Sequence, residues 1–128
     1  METHRDLRVW QQSINLASAI HTVTKSYPKD EIFGLVSQMR RAAVSVSSNI
    51  AEGYARGSEK DKLRFLRLSS GSMSELDTQL TLSHAFGYLN DELYNQLMEM
   101  HTNVWKQLNA LITSIKKKLL PEDLPFDY

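Results

Sequence analysis

An all-α fold, an antiparallel up-down-up-down four-helix bundle, is predicted by three features of this 128-residue chain. Apolar residues recur at steps of three and four through most of its length, as on the buried stripe of a helix. Glycine, proline and capping residues interrupt that pattern at three places, and no stretch shows the strict alternation of a half-buried strand. Four long amphipathic segments joined by short links bury their stripes most simply by folding back on one another.

The first helix is expected from Leu7 to Ser26, because Trp10, Ile14, Ala17, Ile20 and Thr24 share one face and Val9, Leu16 and Val23 widen it. Pro28 disfavours helical backbone in the residue before it, and Asp30 is suited to cap the next helix. The second helix is expected from Glu31 to Arg56, with Ile32, Val36, Met39, Ala43, Val46 and Ile50 as its seam. Gly57 supplies a stop, and Ser58 with Asp61 three residues later forms a near capping box.

The third helix, Glu59 to Phe86, turns Phe65, Ser69, Met73, Leu76 and Leu80 inward, and Gly87 closes it. Asn90 or Asp91 caps the fourth, Asp91 to Leu119, whose Leu93, Leu97, Met100, Val104, Leu108, Leu111, Ile115 and Leu119 give the clearest periodicity in the chain. The bundle domain is thus placed at residues 1–120, and "PEDLPFDY", residues 121–128, reads as an acidic, proline-containing tail, extended or poorly ordered.

Hydrophobic residues make up 41% and charged residues 23% of the chain, the balance of a soluble globular domain. No apolar run is long enough to span a bilayer and the N-terminus lacks a signal-peptide core, so a cytoplasmic location is expected and membrane partners are not. Cysteine is absent, which removes disulfides, thiolate nucleophiles and the common zinc clusters. Fifteen basic and fifteen acidic side chains cancel, so any attraction to nucleic acid must be local.

No cofactor, metal, small-molecule substrate or catalytic residue is expected. The chain contains no Glu-x-x-His pair of a di-iron bundle, and His4, His21, His84 and His101 show no i, i+4 spacing. The serines of "GSMSE" lie mid-helix without an evident base, so an enzyme is not expected.

The segment "RRAAVSVSSNIAEG", residues 40–53, mixes arginines and small polar residues with buried-looking aliphatics. On a helical wheel Phe33, Val44 and Ala51 form a second apolar facet beside the seam, and Met98, Trp105 and Ile112 do the same on the fourth helix. Surplus apolar width on two helices is expected to meet another copy of the chain. If the second and third helices fold back around Gly57 and Ser58, Arg40 lies level with Glu75. A partly buried ion pair is expected there, with Gln79 and Asn49 completing a hydrogen-bonded network and Glu75→Ala destabilising the fold.

Arg56, Lys60, Lys62, Arg64 and Arg67 cluster at the turn between the second and third helices, and Lys116, Lys117 and Lys118 form a second run. Such patches hold phosphates by charge alone, or are simply solvated helix ends. The lysine run also complements the dipole of the helix it ends.

"FGLVSQMRRAAVSVSSNIAEGYARGS", "FLRLSSGSMSELDTQLTLSHAFGYL" and "DLRVWQQSINLA" resemble the four-helix bundle proteins grouped with the 23S rRNA intervening-sequence proteins, over about residues 6–115. The QxRRAAxSxxSNIAEG core is the specific part of the match. Relatives typically carry proline where Ser47 stands, and this chain departs from that pattern. The resemblance implies a homopentameric ring. It also implies RNA binding as an alternative function, since a more distant branch comprises the basic accessory proteins of diversity-generating retroelements, which bind nucleic acid and a reverse transcriptase.

Overall fold

A computed structural model describes residues 3–124. Among the described residues there are four α-helices and no strand: α1 (Arg8–Thr24), α2 (Leu35–Arg56), α3 (Glu59–Ala85) and α4 (Asp91–Lys116). Single 3-10 turns occupy His4–Asp6, Lys29–Glu31 and Pro121–Asp123. The expected tail is therefore seen only as far as Leu124, and residues 125–128 lie outside the described part. No described helix is long and apolar enough to cross a membrane.

α1 packs on α2 and α4, and α3 packs on the same two helices, so the four enclose a single core. Leu16 and Ile20 of α1, Met39 and Ile50 of α2, Leu66, Met73 and Leu80 of α3, and Leu108 and Ile115 of α4 are each 2% exposed or less. Three serines lie among them without cost, because their hydroxyls reach carbonyls: Ser13 to Trp10, Ser69 to Val46 and Ser83 to Gln79, at 2.6, 2.8 and 2.8 Å.

The most extensive helix contact, between α2 and α3, is prepared by the turn joining them. Gly57 adopts φ 86°, a left-handed backbone that ends α2, and the Ser58 hydroxyl accepts the Asp61 N–H at 3.1 Å to start α3. Beyond the turn, Val46 meets Ser69, Ser45 meets Ser72 and Met39 meets Ser83, so numbers fall along α2 as they rise along α3. The α3–α4 link uses the same devices. Gly87 has φ 82°, Tyr88 and Leu89 donate back to the Ser83 carbonyl, and the Asn90 side chain accepts the Leu93 N–H at 2.8 Å.

The entry to α2 differs from the expectation. Asp30 does not cap it; Lys29–Glu31 forms a separate 3-10 turn, and the helix starts at Leu35. The cap comes from Glu31, whose carboxylate accepts the Leu35 N–H at 3.3 Å across Gly34, where a Cβ would stand 3.0 Å from that oxygen. This break removes Ile32 from the seam and leaves it 49% exposed. Ile14 and Leu93, also assigned to core stripes, are 41% and 39% exposed. Ser47, where the resemblance leads one to expect proline, lies within the unbroken run of α2 and donates to the Val44 carbonyl at 3.1 Å.

Candidate functional site

The α1–α2 side carries two strongly exposed apolar side chains. Phe33, on the short bridge leading into α2, is 96% exposed, and Val44, three helical turns further on, is 56% exposed. Ala51 continues that line and is half-buried. Below Phe33 lies a groove of about 610 Å³ whose lining includes Lys25, Lys29, Ile32 and Arg40.

Arg40 does not pair with Glu75. Its Nε donates to the Thr24 hydroxyl at 2.9 Å and its Nη2 to the His21 carbonyl at 3.1 Å, so it fastens the end of α1 to α2. The hairpin correctly puts Arg40 and Glu75 level, but α2 meets α3 through Ala42, Ser45 and Val46, and Arg40 lies on the opposite flank. Glu75 is exposed and shares a 220 Å³ groove with Arg41, Ser72 and Gln79.

The rest of the expected network is also rearranged. Asn49 donates to the carbonyl and hydroxyl of Ser45 within its own helix, and the Gln79 Oε1 is enclosed without a partner. Glu75→Ala should accordingly change stability by no more than about 0.5 kcal/mol. Arg40→Ala, which leaves the end of α1 without two charge-assisted bonds, should cost about 1–3 kcal/mol in a denaturant melt.

On α4, Met98 and Trp105 are half-buried and line a 280 Å³ cleft with Ser74, Asp77 and His101 of the α3–α4 side. Ile112 does not belong to that surface: it is 6% exposed, because α4 is flanked by both α1 and α3 and the residue beside its main seam is enclosed as well. His101 is itself buried, with Nε2 2.7 Å from the Met73 carbonyl and its ring stacked on Trp105. His84 contacts Asp91 at 2.7 Å and stacks on Tyr94. Among the described residues, no three His, Cys, Asp or Glu side chains are grouped to hold a metal ion.

The basic cluster at the α2–α3 turn is brought together but partly neutralised. Arg56 pairs with Glu52 at 3.1 Å and Lys62 with Glu59 at 3.5 Å. Lys62 also lies over the Tyr54 ring, and Arg56 and Arg64 approach the Phe65 ring at 5.4 and 4.5 Å. Lys60, Arg64 and Arg67 are exposed. The exposed Arg56–Glu52 pair contributes little stability, about 0–1 kcal/mol, so it leaves that cation available for exchange with a stronger anion, whereas the Lys62–Glu59 pair is half-buried.

Two features escaped the sequence pattern. One is an aromatic cluster at the Phe33 end, where Tyr27 packs on Tyr88 and the Tyr88 hydroxyl donates to Glu31 at 2.9 Å. Burial pushes the Tyr27 phenol above its usual 10.0, and the bond to Glu31, chiefly, does the same for Tyr88. Ser83 opposes the shift at Tyr27, yet its hydroxyl is committed to Gln79 and Met39, leaving the buried Tyr27 oxygen without a hydrogen bond.

Raised folded-state values mean that the native chain holds these protons more tightly than the unfolded one. Their stabilising contribution is complete below pH about 10 and is lost as the pH climbs through the folded values. Tyr27→Phe should reduce that alkaline loss in thermal melts. At neutral pH it should leave the midpoint unchanged or higher, since it deletes an unpartnered hydroxyl.

The second is an apolar groove of about 560 Å³ between α1 and α4, lined by Ala19, Val23, Leu93, Leu97 and Met100. Leu93 and Met100 belong to the helix-4 repeat, and that repeat does not reveal that small α1 side chains such as Ser18 and Ala19 leave the space beside them open.

No curated protein matches the chain. Among solved structures, a protein of unknown function from the S23 ribosomal protein family of Bacteroides thetaiotaomicron is similar at a TM-score of 0.73 and 22% identity, covering 81% of this chain and 97% of that one. At that identity the likeness speaks for the fold. Residues 5–110 match the family described as 23S rRNA-intervening sequence protein, which takes in α1, α2 and α3 and most of α4. By that match, the chain belongs to the 23S rRNA-intervening sequence protein family.

Proposed function

We propose that this protein is a non-enzymatic, self-assembling scaffold of the cytoplasm, an antiparallel up-down-up-down bundle that presents its surface to a partner from within a homo-oligomer. The opposed numbering of the α2–α3 contacts supports the topology. The observation that carries the function is the apolar surface left on the α1–α2 side, with Phe33 96% and Val44 56% exposed. Burying one such side chain is worth about 1.5–3 kcal/mol, and a contiguous set of them is the usual mark of an interface.

Five copies is the number implied by the resemblance to pentameric relatives. Light scattering should give a mass several times the 14.7 kDa of one chain, with five the expected multiple. A 14.7 kDa particle at micromolar concentration would overturn the reading.

A second reading is RNA binding at the α2–α3 turn. It is favoured by the family's description and by the exposure of Lys60, Arg64 and Arg67 on one face of the first turns of α3. Binding to a structured RNA should then weaken steeply with salt and fall in a Lys60→Glu/Arg64→Glu chain. Absence of binding at low ionic strength removes this alternative and leaves the scaffold reading untouched.

A further inference from the structure

Two unlike surfaces at one end of the bundle answer each other, and their pairing between copies rests on the self-assembly proposed for the chain. Phe33 and Ile32 project beside a groove edged by the cations Lys25, Lys29 and Arg40. Asp30 offsets part of that charge, but Glu31 is drawn away by Tyr88 and the start of α2. The result is an aromatic knob in a mainly basic collar.

The α1–α4 groove has the opposite character. Its floor is apolar, and the α4 segment from Asp91 to Trp105 carries Asp91, Glu92 and Glu99 but no lysine or arginine. Asp91 is engaged by His84, while Glu92 and Glu99 are exposed. The groove spans the second half of α1 and the first turns of α4, and Phe33 lies just beyond the end of α1, so knob and groove occupy the same end. They face neighbouring sides, α1–α2 and α1–α4, and Phe33 is no part of its own chain's groove. Contacts between unlike patches run head to tail, and they close into a ring when successive rotations complete a turn.

We propose that Phe33 of one copy seats in the α1–α4 groove of the next, among Ala19, Val23, Leu93, Leu97 and Met100, with the lysines beside Phe33 facing Glu92 and Glu99 across the seam. Apolar insertion supplies the affinity, and the opposed charges set the direction of the contact.

Phe33 touches so little of its own chain that Phe33→Glu should keep the helical content of the parent. Its self-association should weaken at least about thirtyfold, as for loss of an interface anchor. Because the chain lacks cysteine, contact can also be read without disturbing the charges. An Ile32→Cys chain, which keeps Phe33, mixed with an Ala19→Cys chain should yield a covalent heterodimer with a short bis-maleimide, well above the yield from either chain alone.

An oligomeric parent whose mass is unchanged by Phe33→Glu, and whose mixed cysteine chains do not cross-link, overturns this seam while the assembly reading survives. A monomeric parent overturns both.

Discussion

A Gly53→Val chain should unfold about 3 kcal/mol more readily than the parent, with a thermal midpoint lower by roughly 10 °C. A Cβ at Gly53 would stand 3.0 Å from the Phe65 Cβ and 3.3 and 3.4 Å from the Lys62 Cα and carbonyl oxygen. None of these is the free end of a flexible side chain, so the strain is relieved only by parting α2 from α3. Replacing glycine inside a helix gains about 0.5–1 kcal/mol from reduced backbone freedom, which is too little to offset that separation. Gly71, exposed within α3, is the matched control: a Cβ there has nothing within 4 Å. Gly71→Ala should therefore stabilise by about 0.5–1 kcal/mol, and parallel urea melts of the two chains should move in opposite directions. A Gly53→Val chain melting like the parent would mean that the helices do not approach this closely.

The close α2–α3 approach also separates what the sequence disclosed from what it concealed. Helix ends were legible where the cause is local. Gly57 and Gly87 need left-handed backbone, and Ser58 and Asn90 accept N–H groups three residues ahead, so each can be recognised without knowing the rest of the fold. The start of α2 was not, because its cap is Glu31 acting across Gly34, and Glu31 is itself held by Tyr88 from the far side of the chain. A partner 57 positions away leaves no trace in local spacing.

The same distinction governs the candidate surfaces. Folding two helices around a turn fixes which residues are level, and Val46 with Ser69 agrees with that rule. It does not fix which flank each residue occupies, and there Arg40 turned to Thr24 of α1. Likewise the wheel marked Ile112 as surplus, although enclosure of α4 by two neighbours buries it, whereas among the described residues Phe33 and Val44 stay 96% and 56% exposed. A periodic pattern reports the width of an apolar stripe. Only the packed bundle shows how much of that width its own helices use.

Met39→Ala should be the most damaging single truncation on α2, costing about 3–5 kcal/mol, while Ile32→Ala should cost less than about 1 kcal/mol. The sequence places both residues on one seam, two helical turns apart, and pattern alone predicts similar losses. In the folded chain Met39 is completely enclosed, and its sulfur accepts the Ser83 hydroxyl at 3.4 Å. Truncation there opens a cavity between α2 and α3, and the Ser69 and Ser72 bonds further along the same contact resist the two helices closing over it. Ile32 precedes the helix and is already 49% in water, so removing its branches forfeits little buried area. Met39→Leu should recover most of the loss, because it restores volume without the sulfur contact. Equal effects at the two positions in denaturant melts would restore Ile32 to the seam, extend α2 back through Gly34, and remove the bridge from which Phe33 projects.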